Sequence, residues 1–355
     1  MKAGEDVHGY RIVTEPTNSG GGRCVWAFAE RGGREYFIKQ FLDPKYPTPS
    51  SMGSEAGKKR RRTECEEFEA RHRAVNERIN PTAPGGGNLV TAVDFFREDT
   101  CYYKVTERVA AEPLLSLTGF SLRQIAVVIR TLCLSIQLLH RAGIVHGDLK
   151  PANVLFQQAG TGALLTAKVI DFDDAYPSGS PPPPEHVVGD LLYGAPEWMG
   201  YVKLDGDYPA RSLTTAADVF SLGLVVHTYL TGELPGYDRT RFGAPAEAVA
   251  ARVPLDLAAV LSPAMTTLLG RMTAKAPADR PRVDEVFRQM SDDAIFATGT
   301  RTAARPAAPT GGGRRLLHTM TAEPALATPP PSPAPLPPPA PRTGGSRIRT
   351  NLPKS

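Results

Sequence analysis

An eight-residue segment in the middle of the chain, His146-Gly-Asp-Leu-Lys-Pro-Ala-Asn153, restricts the possible folds more than any other feature. It follows a long stretch with helical periodicity and leads into the apolar run Val154-Leu-Phe156, which predicts a strand. A second acidic cluster, Asp171-Phe-Asp-Asp174, ends the next predicted strand along the chain. Two polar segments at the ends of short strands therefore organise this part of the molecule.

These residue types supply the parts that phosphoryl transfer needs. The reaction requires a carboxylate that accepts a hydroxyl proton, a cation over the moving phosphoryl group and oxygen ligands for Mg2+. Asp148 and Lys150 provide the first two, and Asn153 and Asp171 form the metal pair. Any one of these residues alone is also typical of a solvated loop. Taken jointly, in this order and beside these strands, they favour a phosphotransfer site.

The remaining pattern predicts an α+β chain with unlike halves. Short apolar runs predict three strands within residues 10–41, with a turn at residues 31–34, and two further strands at residues 89–96 and 101–109. One charged helix is predicted between them, at about residues 55–80. From Ser121, a candidate N-cap, the periodicity becomes helical, with later helices predicted at residues 215–231, 262–273 and 283–292.

Charge is distributed unevenly along the chain. Residues 301–355 hold 13 of the 34 prolines and eight basic residues against Glu323, which gives this tail a net charge of +7. Residues 1–300 therefore carry −3, so the overall charge of +4 does not indicate a body that binds nucleic acid. We predict a disordered Pro-rich basic tail over residues 296–355. Residues 329–342 suit either a polyproline-reading partner or a plain spacer.

The composition excludes several classes of protein. The chain has no run approaching about 18 apolar residues, so no membrane span is predicted. Its first residues lack the apolar core of a signal peptide. The four cysteines are far apart and form no CxxC pair, which favours buried, reduced thiols over a disulfide or a zinc site. We expect a cytoplasmic protein.

Further motifs make residues 8–292 resemble the eukaryotic-like protein kinase superfamily, in a divergent bacterial-type Ser/Thr form. They are Lys39 within Tyr36-Phe-Ile-Lys-Gln-Phe41, the segment Ala195-Pro-Glu197, the run Asp218-Val-Phe-Ser-Leu-Gly223, and Arg280-Pro281. The resemblance implies a two-lobed fold: a small antiparallel sheet with one helix at about residues 8–109, and a helical lobe at about 110–292. It also implies Mg2+ and ATP, Ser/Thr acceptors on proteins, and a buried pair between Glu197 and Arg280.

The resemblance further implies how ATP is held. Lys39 would hold the α- and β-phosphates, paired with a glutamate of the charged helix. Glu64, Glu66, Glu67 and Glu69 are the candidates, and we choose Glu69 because it follows Phe68 on the apolar side. In the hinge, Thr106 would be the gatekeeper, with the carbonyl of Glu107 and the amide of Val109 meeting adenine. Ala27 and Ile38 would line the roof of the adenine site.

The glycine-rich loop departs from the family pattern. Aligned on Val25, which the resemblance places in contact with the nucleotide, only Gly20 occupies one of the three glycine positions of the loop. Gly20, Gly21 and Gly22 would still let backbone N–H groups approach phosphate, although a glycine triplet also suits a plain hairpin turn.

Three other positions also differ from the family. Gly147 replaces an arginine that commonly receives an activation-segment phosphate, so activity is predicted not to need that modification. Asp173 replaces a glycine, and Asp190 replaces a threonine near the catalytic residues. We expect Asp190 either to raise the pKa of a neighbouring carboxylate or to contact Lys150.

Two alternative functions remain open on the sequence. His146-Gly-Asp148 with the acidic cluster also suits small-molecule phosphotransferases of the aminoglycoside or choline kinase type. The departures and the tail suit a nucleotide-binding pseudokinase scaffold. The retained Lys39, Asp148, Asn153 and Asp171 favour an active protein kinase. Thr328 and Ser332 in the tail are candidate autophosphorylation sites.

Overall fold

Alternating apolar residues near the N-terminus form a six-stranded antiparallel sheet in the computed structural model, which describes residues 1–19, 22–79, 88–113, 116–117, 119–159 and 164–297. The strands are β1 (Asp6–Val7), β2 (Tyr10–Ile12), β3 (Cys24–Arg31), β4 (Arg34–Phe41), β5 (Ala92–Glu98) and β6 (Cys101–Glu107), in the order β1-β2-β3-β4-β6-β5. Gly32 and Gly33 join β3 to β4 with φ of 59° and 74°, which glycine adopts without strain. The predicted turn is confirmed.

The two faces of this sheet bury different sets of residues. The outer face packs Ala27, Ile38 and Val105, each 0% exposed, with Tyr10 of β2. The inner face is covered by helix α1 (Glu55–Arg78), whose buried Cys65 packs against residues of β3, β4 and β6. Ser54 caps this helix by accepting a hydrogen bond from the Gly57 amide at 3.1 Å. The helix predicted at residues 55–80 is confirmed.

A long apolar helix forms the centre of the helical part. Helix α2 (Leu122–Arg141) begins after Ser121, which forms a capping box with Gln124, as the predicted N-cap requires. Its apolar side is buried in the largest core cluster, with Leu132 and Leu139 at 0% exposure. Among the described helices, only α2 is long and apolar enough to cross a bilayer. Its burial among other helices is that of a core helix.

Short strands between the helices carry the two polar segments. They are β7 (Glu112–Pro113), β8 (Ile144–Val145), β9 (Val154–Ala159), β10 (Leu164–Val169) and β11 (Tyr176–Pro177). β10, β9 and β7 form one antiparallel sheet, and β11 pairs with β8 in another. Residues 146–153 therefore run from β8 to β9, and residues 170–175 run from β10 to β11. Both polar segments lie between the same two small sheets.

The remaining helices complete the helical part. They are α3 (Pro196–Val202), α4 (Ala216–Thr231), α5 (Pro245–Ala250), α6 (Pro263–Met272) and α7 (Val283–Met290). A short turn of helix after α7 buries Ile295 and Phe296 in the main core. Phe296, where the sequence predicts the tail to begin, is thus only 3% exposed and belongs to the core. The tail from residue 298, with Thr328, Ser332 and the segment 329–342, lies outside the described residues.

All four cysteines are free thiols. Cys24, Cys65 and Cys133 are buried, and Cys101 is half-buried. The predicted burial is confirmed for the first three.

Candidate active site

Asp148, Lys150 and Asn153 lie together in the loop between β8 and β9. The Lys150 Nζ lies 2.9 Å from Asp148 Oδ2, and the Asn153 Nδ2 donates to the same oxygen at 3.0 Å and to the Asp148 carbonyl at 2.7 Å. Burial alone would lower the pKa of Lys150, but Asp148 and Asp190 hold it above its ordinary value. The loop therefore presents a carboxylate with a charged amine beside it.

Asp218, near the start of α4, fixes the backbone of this loop. Its Oδ2 accepts from the His146 amide at 2.8 Å and lies 3.0 Å from the His140 Nε2, while its Oδ1 accepts from the Gly147 amide at 3.2 Å. Asp218 is 1% exposed. A buried carboxylate with this many donors holds the loop rigidly, because any shift would leave its charge unsatisfied.

Gly147 has a structural reason to be glycine. Its φ is 82°, in the left-handed region that side chains other than glycine rarely adopt. A Cβ at this position would lie 2.6 Å from the Asp174 carbonyl oxygen and 3.1 Å from the Tyr176 ring. The arginine of the family pattern has no room here while Asp174 follows this path.

Asp171 lies near Asn153 because β9 begins where its antiparallel partner β10 ends. Val154 pairs with Val169, and the Ile170 amide donates to the Asn153 carbonyl at 3.0 Å. Asp171 then turns out of the strand direction with a φ of 65°. One amide and one carboxylate side chain at adjoining strand ends offer hard oxygen donors, which suit Mg2+ completed by substrate phosphates. Among the described residues, no three His, Cys, Asp or Glu side chains form a metal cluster.

Lys39 of β4 reaches this segment but not a helix glutamate. Its Nζ lies 2.7 Å from Asp171 Oδ1 and 2.8 Å from Asp173 Oδ2. The second oxygen of Asp173 accepts from the Lys104 Nζ of β6 at 2.7 Å. The predicted pair between Lys39 and Glu69 is therefore wrong. The contact with Lys104 went unrecognised in the sequence, although apolar residues flank this lysine as they flank Lys39.

Glu69 instead forms a pair along its own helix. Its Oε1 accepts from Arg73 Nη2 at 2.7 Å, four residues further along α1. The pair is half exposed, as is usual for i,i+4 pairs on a helix surface. The other three candidates also lie away from Lys39: Glu64 pairs with Arg60, and Glu66 and Glu67 are exposed. The four candidate glutamates lie on the charged side of the helix, and its buried side carries no glutamate.

The burial and the charges around Asp173 shift the pKa values of the three carboxylates of this segment in different directions. Burial alone would raise the pKa of Asp173, but Lys104 and Lys39 hold it well below its ordinary value. Burial and the negative Asp173 raise the pKa of Asp171. Burial, together with Asp173 and Asp148, raises the pKa of Asp174 to about 7. The two lysines thus favour the charged form of Asp173.

The register of β3 corrects the predicted alignment of the glycine-rich segment. Val25 pairs with Gln40 and so lies on the opposite face from Lys39, which contradicts its predicted contact with nucleotide. Cys24 lies on the Lys39 face instead, and burial and Asp173 raise the pKa of its thiol to about 12. Gly22 has a φ of 55° and open space around it. Gly20 and Gly21 lie outside the described residues.

Aromatic rings occupy the inner face of the sheet beside Lys39. Phe37 and Trp26 have ring centroids 5.1 Å apart, and Phe28 lies 6.0 Å from Phe37. All three rings are half-buried, and Phe37 pairs across the strands with Thr106, the predicted gatekeeper.

Ala27 and Ile38 do not line this face. They are buried on the outer face of the sheet, so the prediction that they form the adenine roof is wrong. The rings of Trp26, Phe28 and Phe37 lie on the face that carries Lys39 instead.

The hinge begins where β6 ends. Glu107 is the last residue of the strand and pairs with Tyr36, and the Val109 carbonyl accepts from the Ala111 amide at 2.9 Å. Arg108 lies between them, with its guanidinium carbon 4.1 Å from the centre of the Phe28 ring. The segment that contains Glu107 and Val109 therefore borders the aromatic rings through Arg108.

The segment before Ala195 packs tightly while exposing apolar side chains. Its Asp190 lies 3.5 Å from the Lys150 Nζ, which fits the predicted contact with Lys150. Gly189 and Gly194 both lie against the Trp198 ring, where a Cβ would come within 2.7 Å and 2.5 Å of ring atoms. Leu191 is 66% exposed next to Asp190. The segment holds Asp190 towards the loop of residues 146–153.

Glu197 and Arg280 form a fully buried ion pair, as predicted. The two hydrogen bonds are 2.6 Å and 2.8 Å, and both side chains are 0% exposed. Arg280 also donates to the carbonyls of Ala216, Ala274 and Lys275. The pair therefore ties the start of α3 to the segment before α7.

Comparison with known proteins gives a single family. A protein kinase domain model matches residues 55–290. The Serine/threonine-protein kinase Pkn1 of Myxococcus xanthus is 30% identical over 268 residues, which are 74% of this chain and 36% of the relative. The Serine/threonine-protein kinase PksC of Streptomyces coelicolor is 27% identical over 234 residues, covering 62% of this chain and 40% of the relative.

A plant protein gives a similar match. Calcium-dependent protein kinase 20 of Oryza sativa is 28% identical over 245 residues, which are 66% of this chain and 41% of the relative. The chain thus spans less than half the length of the curated relatives described here.

Proposed function

The chain belongs to the protein kinase family, and we propose that it is a Ser/Thr protein kinase that transfers the γ-phosphoryl group of ATP to hydroxyls of proteins. The observation that carries this proposal is the arrangement of Asp148, Lys150 and Asn153 within hydrogen-bond distance, beside Asp171 at the end of the neighbouring strand. Phosphoryl transfer depends mainly on positioning and charge, and this loop offers both.

Each residue has a defined task in the proposed reaction. Asp148 orients the acceptor hydroxyl and takes its proton as the oxygen bonds to the γ-phosphorus, while the bond from that phosphorus to the bridging oxygen breaks and ADP leaves. Lys150, beside Asp148, stabilises negative charge on the transferred group. Lys39 holds the α- and β-phosphates. Asp218 keeps the loop in place through the amides of residues 146 and 147.

Asn153 and Asp171 would hold Mg2+. Their oxygen donors fit a magnesium ion, which takes one or two protein ligands together with phosphate oxygens in such sites. When bound, the ion neutralises charge on the β- and γ-phosphates. The remaining proposed contacts to nucleotide come from the backbone of Glu107 and Val109 and from Gly20 to Gly22.

Protein acceptors are favoured over small molecules. The buried Glu197–Arg280 pair supports a structured segment between Asp171 and Glu197, on which a peptide can dock. The relatives described above are named as protein kinases. We further propose a cytoplasmic location and autophosphorylation of the tail at Thr328 or Ser332, with a polyproline-reading partner for residues 329–342.

Incubation with labelled ATP and Mg2+ tests the function. We expect label in protein from the wild type, and a loss of about 100-fold or more in Asp148→Ala, the range seen when a general base is removed. Phosphosite mass spectrometry of the two proteins identifies acceptor residues. Label that appears only in an added aminoglycoside or choline, and not in protein, contradicts the proposal.

A pseudokinase scaffold is the second candidate, and one observation favours it. Both carboxylates near Lys39 already neutralise its charge, so the amine has partners without nucleotide. A scaffold of this kind would bind ATP in calorimetry but place no label in any acceptor. The same labelling experiment therefore separates the two functions.

A further inference from the structure

We propose that Asp173 is the positioning residue for Lys39, in place of the helix glutamate that the family resemblance implies, and that Lys104 holds Asp173 there. The inference rests on the proposed phosphotransfer function. It assigns a role to a residue that stands where the family pattern has glycine, and to a lysine that the pattern does not include.

Lys39 and Lys104 face each other across two strands. They are direct partners in the pairing of β4 with β6, so their side chains leave the sheet on the same face. Like charges directly opposite each other destabilise a sheet. Asp173 removes this conflict by bridging them, with Oδ2 at 2.8 Å from Lys39 and Oδ1 at 2.7 Å from Lys104. All three side chains are at most 14% exposed.

Asp173 is better suited than Asp171 to stay on Lys39. Asp171 is the proposed metal ligand, so its carboxylate has a second task when nucleotide binds. Asp173 has no other hydrogen-bond partner than the two lysines among the described residues. Phe172, between the two aspartates in the chain, is 2% exposed, and its ring centre lies 5.2 Å from that of His146. This packing anchors the backbone of both aspartates.

Helix α1 offers no carboxylate to this cluster. Glu69 pairs with Arg73. The residues of this helix that interact electrostatically with Asp173 are Arg71 and His72. The Arg71 Nε is buried without a hydrogen-bond partner among the described residues. The helix therefore presents basic groups to Asp173, and the anion that holds Lys39 comes from the segment after β10.

Kinetic measurements on four variants test the role. Asp173→Gly restores the family residue and is expected to lower kcat about 100-fold, because Lys39 loses its fixed position. Asp173→Asn keeps the side-chain shape and is expected to lose similar activity. Adding Lys104→Glu to Asp173→Gly puts a carboxylate directly opposite Lys39 and is expected to restore kcat at least about tenfold. Glu69→Gln, the matched control, should stay within about twofold of the wild type.

These outcomes decide the inference. Restoration by Lys104→Glu supports positioning, since a merely structural loss would not be repaired by a second change of charge. Full activity in Asp173→Gly, failure of the restoration in a folded double variant, or a loss in Glu69→Gln equal to that in Asp173→Gly would each overturn it.

A second measurement needs neither activity nor nucleotide. Urea unfolding of Asp173→Asn, Lys104→Met and the double variant forms a double-mutant cycle. We expect the double variant's unfolding constant to differ about tenfold from the product of the single effects. Independent effects would overturn the bridge. If the wild type transfers no phosphoryl group, the proposed function fails, and this cycle still decides whether Asp173 and Lys104 act as one unit.

Discussion

The helical part and the sheet hold their site residues in different ways. In the helical part, Asp148, Lys150 and Asn153 come from one short loop, and Asp218 fixes its backbone. On the sheet, Lys39 meets carboxylates that belong to a distant segment. A site built within one loop takes the arrangement of its side chains from neighbours in the chain, and one distant carboxylate is enough to fix its backbone. A site built across elements depends on which residues each element turns inward, and it can be rearranged by a few changes of charge.

The buried ion pair of the helical part should give the largest effect on stability. Glu197→Gln leaves the Arg280 charge buried without its carboxylate, so we expect the free energy of unfolding to fall by about 3–5 kcal/mol. Urea denaturation measures this change. Glu285→Gln removes the exposed pair with Arg271 and should cost at most about 1 kcal/mol. Equal effects of the two variants would show that the buried pair is not the anchor described here.

A second large effect on stability is expected from a change in the proposed catalytic loop. Gly147→Ala places a Cβ against the Asp174 carbonyl in a left-handed backbone, and we expect about 3 kcal/mol of destabilisation. Gly33→Ala is the matched control: its φ of 74° is similar, but its Cβ would meet nothing within 4 Å. Thermal or urea unfolding of both variants isolates the cost of the contact. A loss in Gly147→Ala no greater than in Gly33→Ala would contradict the role given to Asp174.

On the sheet side, the aromatic rings should bind the base. Phe37→Ala removes the ring opposite Thr106, and since stacking on one ring contributes about 1–3 kcal/mol, ATP affinity should fall about tenfold. Calorimetric titration with ATP measures this. Leu42→Ala, just past the same strand and 43% exposed, should leave affinity unchanged. An ATP affinity of Phe37→Ala equal to or tighter than that of the wild type would contradict this role of the ring.

Asp174 gives the boundary between the two regions a pH dependence. Its pKa of about 7 lies above the ordinary value of 3.8, so the folded protein binds an extra proton between these limits. The contribution of Asp174 to stability therefore falls as pH rises from about 4 to 7. We therefore expect the free energy of unfolding of Asp174→Asn, measured with urea and taken relative to the wild type, to be higher at pH 8 than at pH 5. The exposed Asp207→Asn should not. An equal difference at both pH values would contradict this.

The smallest effect is expected in the segment before Glu197. Ser178 and Ser180 are exposed, but Gly147 leaves the catalytic loop without the arginine that would receive a phosphate there. The phosphatase-treated Ser178→Ala, Ser180→Ala double variant should keep its activity within about twofold of the wild type. A loss of activity on this treatment would show that another basic group serves as receiver.

The sequence predicts the loop side of the site well and the sheet side poorly. Asp148, Lys150 and Asn153 are close in the chain, so their spacing largely determines their geometry. The partner of Lys39 depends on how α1 and the segment after β10 approach the sheet, and no local pattern encodes that. Val25 illustrates a second cause of error, since a shift of one residue in a strand moves a side chain to the other face. The same one-residue shift explains why the predictions for Ala27 and Ile38 are wrong.

The bridge at Asp173 also determines which motions are easy. Lys39 and Lys104 are fixed to the sheet, whereas Asp173 belongs to the segment that leads into β11, so moving these parts away from each other must break two nearly dry ion pairs. Sliding or tilting α1 breaks neither, because its glutamates take no part. A regulator that rotated this helix would therefore leave the position of Lys39 unchanged. A regulator that separated the sheet from the segment carrying Asp173 would release Lys39 from its partner.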